Sequence, residues 1–298
     1  MQYSKLGKSD LQVSKIGFGC MSLKGEAADN ELLINKALDL GVNYFDTADL
    51  YENGANESKI GTVLKSKRKD VILATKVGNQ ARPDGSGWDW NPTKDYILAS
   101  VEGSLKRLQT DYIDLYQLHG GTMDDPMEET IEAFEQLKQQ GKIRYYGISS
   151  IRPNVIREYV KRSAIISVMM QYSLLDRRPE EESLGLLKEN GIGVLSRGGV
   201  AQGLLVDKPA KAYLNWSAAE VAQAAEAIHA VTGKNGSNAQ TAVQFILKNQ
   251  AINCAVIGIR TLSQLEDICA AADLPLLSAE EMQLLTNSVS PQYYLEHR

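Results

Sequence analysis

Asp46, Tyr51, Lys76 and His119 are the residue types a proton-transfer site needs, and each falls at or just past the end of a short β-rich run. Asp46 closes Val42-Asn43-Tyr44-Phe45, with Tyr51 five residues on. Lys76 closes Val71-Ile72-Leu73-Ala74-Thr75, and His119 closes Ile113-Asp114-Leu115-Tyr116-Gln117-Leu118. The set suits reduction of a carbonyl by a nicotinamide hydride, in which the oxygen that gains charge must receive a proton. A phenol can donate that proton, reluctantly at neutral pH, and a buried ammonium beside it stabilises the phenolate left behind. A carboxylate keeps that ammonium charged in spite of burial. An imidazole can hydrogen-bond the substrate oxygen and orient it. Tyr51, Lys76, Asp46 and His119 fill these roles in that order. Taken singly, each has an ordinary reading: turn chemistry for the Asp and Tyr, a solvated loop lysine, a structural histidine. Their joint occurrence at the ends of successive strands points to catalysis.

The elements that must position them follow a repeated cadence. Leu32, Leu33, Ala37, Leu38 and Leu40 line one helical face, Gly41 supplies a left-handed stop, and a strand begins at Val42. Ile131, Phe134 and Leu137 lead to Gly141 and a strand around Arg144–Ser149; Leu184, Leu186 and Leu187 lead to Gly191 and Ile192–Leu195. Thr93 is positioned to cap a helix bearing Ile97, Val101, Leu105 and Leu108. With Val13–Gly17 as the first strand and others at Val71, Ile113, Ile165–Met170 and Ala255–Ile257, eight strands alternate with helices. Eight is the number that closes a (β/α)8 TIM barrel. An open doubly wound sheet would require GxGxxG after the first strand, but Gly17-Phe18-Gly19-Cys20-Met21-Ser22 lacks the third glycine and reads as a tight turn. No Pro/Gly/Ser-rich linker divides the chain, so a single domain over residues 1–298 is expected.

Composition narrows the function classes. A net charge of −5, from 32 basic and 37 acidic residues, gives no pull toward nucleic acid or an anionic membrane. Three cysteines (Cys20, Cys254 and Cys269) with no CxxC argue against a disulfide framework or zinc ribbon, and three histidines without HxH or HxxxH pairs argue against a metal site. The N-terminal residues lack the apolar core of a signal peptide, and no stretch has the length of a membrane span, so a cytoplasmic protein is expected.

The chain resembles the aldo-keto reductase family of NADPH-dependent carbonyl reductases, nearly from end to end. The resemblance rests on Leu6-Gly7-Lys8-Ser9-Asp10-Leu11-Gln12-Val13-Ser14, Gly17-Phe18-Gly19-Cys20-Met21, Asn43-Tyr44-Phe45-Asp46-Thr47-Ala48-Asp49-Leu50-Tyr51 and Ala74-Thr75-Lys76-Val77. It continues through Asp111-Tyr112-Ile113-Asp114-Leu115-Tyr116-Gln117-Leu118-His119, Ile143-Arg144-Tyr145-Tyr146-Gly147-Ile148-Ser149 and Val256-Ile257-Gly258-Ile259-Arg260. It implies a (β/α)8 barrel with a short N-terminal β-hairpin, binding NADP(H) without a Rossmann motif. Asp46, Tyr51, Lys76 and His119 match the family's catalytic tetrad, with Tyr51 as general acid and Tyr51 and His119 also facing the substrate. Ser149, Ser150 and Gln171 match ligands of the nicotinamide carboxamide, and Gly19, Cys20, Met21 and Asp46 border the same end of the cofactor. The segment Ser196–Leu205, with Arg197, Gly198, Val200 and Gln202, matches the loop over the pyrophosphate. Ile257, Gly258, Arg260, Gln264 and Asp267 lie in the stretch that holds the adenosine and its 2′-phosphate. An arginine before the helix Leu262–Ala271 is independently a good phosphate ligand, the ordinary reading being a surface arginine.

Three positions depart from the family pattern. Ser150 replaces a usual asparagine, which weakens a carboxamide contact, and Ile268 replaces another near the adenine. Arg197 stands where an aromatic residue usually stacks on the nicotinamide. A guanidinium can lie flat on that ring but is repelled by its oxidised, positive form. Arg197 therefore either favours NADPH over NADP⁺ or reaches a cofactor phosphate. Trp88 and Trp90, in the long Gly78–Pro92 segment, are either an apolar wall for substrate or packing on the barrel rim, and Val206–Trp216 is a candidate second wall. The short tail from Pro291 suggests an open mouth that accepts small or varied aldehydes and ketones. The alternative function is a regulatory subunit that senses NADP(H) through the same barrel and turns over slowly.

Overall fold

The computed structural model describes residues 1–233 and 236–298. Its elements run in the order β1 (Tyr3–Lys5), β2 (Gln12–Ser14), β3 (Ile16–Gly19), α1 (Ala27–Asp39), β4 (Tyr44–Asp46), α2 (Ala55–Leu64), β5 (Ile72–Val77), β6 (Asn79–Ala81), β7 (Trp88–Trp90) and α3 (Lys94–Leu108). There follow β8 (Ile113–Leu118), α4 (Met127–Gln139), β9 (Ile143–Ser149), α5 (Pro153–Arg162), β10 (Ser167–Gln171), α6 (Ser183–Glu189), β11 (Gly193–Arg197), α7 (Ala218–Thr232), α8 (Asn238–Lys248), β12 (Ile252–Ile257), α9 (Leu262–Ala270) and α10 (Ala279–Asn287). Eight of the strands, β3, β4, β5, β8, β9, β10, β11 and β12, form a closed parallel barrel in that order, and β12 pairs with β3 to complete it. Gly41, Gly141 and Gly191 all take positive φ (84°, 72° and 63°), ending their helices as left-handed stops before the next strand. Among the described residues, no helix is long and apolar enough to cross a membrane.

The first strand is the main correction. Val13 belongs to β2, which pairs antiparallel with β1 as an N-terminal hairpin, and the barrel begins at Ile16. Gly17-Phe18-Gly19 is strand rather than turn. Gly17 is required there by proximity, since a Cβ would lie 2.7 Å from Cys254 Sγ and 2.9 Å from the Tyr44 ring. The hairpin seals the barrel's lower end. Leu6, Leu11 and Val13 are buried in one cluster with the barrel-interior residues Tyr44, Ile72, Leu115, Met169 and Leu195. A second, larger cluster lies between barrel and helices, where Phe134 packs edge-on to Tyr116 and stacks on Tyr146. The Gly78–Pro92 segment also differs from expectation. It is a two-stranded hairpin, with Asn79, Gln80 and Ala81 opposite Trp90, Asp89 and Trp88.

Candidate active site

All four expected catalytic residues gather at the C-terminal end of the barrel. Alternation along β4 and β5 aims Asp46 and Lys76 inward, where both are almost wholly buried. Lys76 Nζ donates to Asp46 Oδ2 at 2.5 Å, to the Thr47 carbonyl at 2.7 Å and to Tyr51 Oη at 3.4 Å. An ammonium has three N–H donors, and these three acceptors occupy all of them. Tyr51 Oη is thus on the receiving side of Lys76, and its own proton is left to point elsewhere. Burial is the largest influence on Lys76 and opposes its charge, but Asp46 and then Tyr51 more than offset it, so its pKa is raised. Burial likewise pushes the Asp46 carboxyl up, with Lys76 the chief opposing influence. Gln117 Nε2 approaches Asp46 Oδ1 at 3.4 Å.

Tyr51 is held by unusual backbone. Glu52 and Asn53 (φ 51° for each) and Gly54 (φ 87°) are consecutive left-handed residues immediately after it. The two non-glycine residues are held by the Glu52 carboxylate, which accepts from Lys59 Nζ at 2.9 Å and from Asn56 Nδ2 at 3.5 Å, and by the Asn53 N–H, which donates to Leu50 O at 3.1 Å. His119 meets Tyr51 edge-on, with ring centroids 5.8 Å apart. Its backbone N–H donates to Val77 O at 2.8 Å, and its Nδ1 is buried without a partner. Burial, reinforced by the positive charges of Lys76 and Arg197, pushes its pKa down to about 3. A shift in that direction holds the His119 imidazole in its neutral form, a state suited to hydrogen bonding rather than to storing a proton.

The remaining expected residues line the strand ends around this centre. Gly19 ends β3 beside Ile257 and Gly258; a Cβ on it would lie 3.2 Å from the Ile257 carbonyl. Ser149 ends β9, and Gln171 and Arg197 face each other at the ends of β10 and β11. Several residues have prior commitments. Cys20 is fully buried and its carbonyl is taken by Asn56 Nδ2, whereas Met21 beside it is exposed. Ser150 Oγ accepts from Arg152 N at 3.2 Å, and Ser196 Oγ donates to Cys254 O at 3.5 Å inside the barrel. Ala201 and Gln202 adopt positive φ (45° and 60°) in the turn after Val200. Arg260 is exposed ahead of α9, and its N–H is tied by Gln264 Oε1 at 3.0 Å. Asp267 is engaged elsewhere: its carboxylate accepts from Ser237 Oγ at 2.7 Å and Gln240 Nε2 at 2.9 Å, bridging α9 to the start of α8. Ile268 is buried in the core.

The family model for the aldo/keto reductase family matches residues 15–289. The chain belongs to the aldo-keto reductase family. It is 48% identical to the uncharacterized oxidoreductase YqkF of Bacillus subtilis over the full length of both chains. It is 31% identical to L-galactose dehydrogenase of Arabidopsis thaliana, covering 94% of this chain and 91% of that one. Among solved structures, the holo form of aldo-keto reductase AKR11C1 from Bacillus halodurans superposes with a TM-score of 0.94 at 48% identity, over 100% of this chain and 99% of that chain. The chain is an oxidoreductase of this family, and the family's chemistry is carbonyl reduction in the broad sense.

In this aldo-keto reductase the two loop tryptophans diverge. Trp88 is half exposed on the hairpin. Trp90 folds back over the glycines that follow the catalytic strands: a Cβ on Gly78 would lie 2.7 Å from its ring and one on Gly120 3.2 Å. Its Nε1 donates to Asp125 Oδ1 at 2.8 Å, and Asp125 also accepts from Thr122 N and Oγ1. In the Val206–Trp216 segment, Trp216 is buried, with its Nε1 donating to Leu175 O at 2.8 Å. Sequence reasoning passed over Gln117, although alternation along β8 places it on the same inward side as His119. It also passed over Asp49, whose Oδ1 is buried without a partner. Burial, then the charge of Glu57, raises the Asp49 pKa to about 7.

Proposed function

We propose that this protein reduces aldehydes or ketones to alcohols with NADPH, with Tyr51 as the general acid. The observation that carries this reading is the use of all three Lys76 donors on Asp46, Thr47 O and Tyr51 Oη, which frees the Tyr51 proton for a substrate oxygen. The residues at the strand ends fit a dinucleotide. Glycines at positions 19 and 258 leave backbone open to close approach, Ser149 and Gln171 offer polar groups suited to a carboxamide, and Arg260 with the start of α9 suits a phosphate. When bound, NADPH supplies the hydride. Ser149 and Gln171 hold the carboxamide, Ser150 at most weakly. The Ser196–Leu205 turn would hold the pyrophosphate, Arg197 would sit at the nicotinamide end, and Arg260 would take the 2′-phosphate. His119, neutral and lacking a partner at Nδ1, donates a hydrogen bond that orients the substrate oxygen toward Tyr51. Tyr51 gives its proton to that oxygen, and Lys76, kept charged by Asp46, stabilises the phenolate. Trp88 and Trp90 form one wall of an open mouth, which favours small or varied carbonyl compounds.

The test follows absorbance of the reduced nicotinamide while NADPH, with NADH in parallel, is mixed with a panel of carbonyls including 4-nitrobenzaldehyde and methylglyoxal. Tyr51→Phe should slow oxidation by roughly 10²- to 10⁴-fold while leaving NADPH binding nearly unchanged. Tight NADPH binding with no turnover of any substrate would instead favour a cofactor-sensing role.

A further inference from the structure

The amide of Gln171 has two polar neighbours. Its Nε2 donates to the Tyr213 hydroxyl at 2.9 Å, and its Oε1 accepts from Arg197 Nη1 at 3.4 Å. A guanidinium only donates, so the amide atom that faces Arg197 must be the oxygen. The nitrogen then faces Tyr213, whose hydroxyl can accept. Arg197 selects the orientation, since a hydroxyl could pair with either end of the amide, and the shorter Tyr213 contact ties the nitrogen in place.

Tyr213 is itself firmly placed. It exchanges both backbone hydrogen bonds with Trp216, at 3.1 and 3.0 Å, in a tight turn. Trp216 is buried and anchored to Leu175 O. Leu175 lies in the loop that leaves the strand carrying Gln171, so the Tyr213 turn is fastened to the same connection. Gly198, at φ 71°, lets the turn pass beside the Gln171 stem; a Cβ there would come within 3.3 Å of Gln171 Cγ. Burial, and next the charge of Asp176, raises the Tyr213 pKa, so the hydroxyl stays a neutral phenol.

We propose that Tyr213 is a positioning residue for the nicotinamide: it holds the Gln171 amide so that Oε1, beside Arg197, accepts from the amino group of the carboxamide. The inference rests on the cofactor reading above. In the reversed orientation the amide would present N–H to N–H, and no hydrogen bond would form there.

The test uses NADP⁺ and its 3-acetylpyridine analogue, which carries a methyl ketone in place of the carboxamide and so lacks the amino group. Dissociation constants are read by calorimetric titration of the purified full-length protein. The native protein should prefer NADP⁺. Tyr213→Phe should weaken NADP⁺ by roughly 3- to 10-fold, the net worth of one hydrogen bond, and leave the analogue within about twofold. In a Gln171→Ala background, adding Tyr213→Phe should change NADP⁺ affinity little, because the group being positioned is gone. Equal weakening of both ligands, or no weakening of either, would overturn the positioning role while leaving the cofactor reading intact. A native protein that binds neither ligand would overturn the cofactor reading itself, and this inference with it.

Discussion

The Lys76–Asp46 pair illustrates how a charge survives burial. Both side chains are almost wholly removed from water, so each would be strongly disfavoured alone, and their value lies in being present together. Lys76→Met should abolish reduction as severely as loss of Tyr51 and should also destabilise the fold by about 3–5 kcal/mol, since Asp46 is left buried and unpaired. Adding Asp46→Asn should recover most of that stability and none of the activity; urea unfolding and an NADPH oxidation assay separate the two. Asp49, three residues along, makes stability depend on pH. Its folded pKa of about 7 lies above its ordinary 3.8, so between those values the unfolded chain is ionised while the folded protein holds the proton. Rising pH therefore favours unfolding across that window and has no further effect through this group above it. Asp49→Asn should stabilise the protein at pH 8 by on the order of 2–4 kcal/mol and by nothing near pH 4. A gain that is the same at both pH values would show that Asp49 does not titrate this way. The tetrad was legible in the sequence because each member closes a strand whose apolar pattern stands out. Asp49 was not: a carboxylate between Asp46 and Tyr51 reads as a solvated turn, and its burial depends on α2 and on Glu57, brought near only by the fold.

The helix–glycine–strand units were legible for a related reason. A 3.6-residue apolar stripe, a left-handed stop and an apolar run are all local signals, and most of the barrel strands appear close to where those signals put them. What lacked a local signal was displaced or missed. Val13 has the character of a core strand but pairs with β1, because register in the N-terminal segment is decided by which surface needs covering. The Gly78–Pro92 segment carries Gly85 and Gly87 amid polar residues, and its pairing as a hairpin depends on Trp90 finding the glycine floor at positions 78 and 120. That hairpin joins the loops after Lys76 and His119 through the Trp90–Asp125 hydrogen bond. Asp125→Ala should release the indole, raising KM for an aromatic aldehyde by roughly 3- to 10-fold while NADP⁺ affinity stays constant. A matching loss of NADP⁺ affinity would mean that the hairpin supports the whole mouth rather than one wall.

At the scale of the whole molecule, the two ends of the barrel have separate tasks. The upper end carries the left-handed Glu52–Gly54 turn, the unpartnered polar atoms of Asp49 and His119, and the shifted ionisations of Asp46, Asp49, Lys76 and His119. The lower end carries a plug and a fully paired charge network. Asp114, buried in β8, accepts from Arg68 Nη2 at 2.7 Å, Arg144 Nη1 at 2.8 Å and Leu73 N at 3.0 Å, and Arg144 also reaches Asp10. Leu6 is fully buried in the hairpin that closes this end, and nothing about it touches the tetrad. Leu6→Ala should therefore cost about 2–5 kcal/mol in unfolding free energy, from lost apolar transfer and the cavity left beneath the barrel. At temperatures well below the transition, kcat/KM should stay within about twofold of the native value, because placement at the lower face reads as stability and placement at the upper face as chemistry. Urea denaturation gives the first quantity and initial rates of NADPH oxidation the second. A large fall in kcat/KM with the protein still folded would mean that disturbance at the plug travels up the interior stack of Tyr44, Ile72, Leu115 and Met169 to the catalytic strands, and the division of labour between the two faces would not hold.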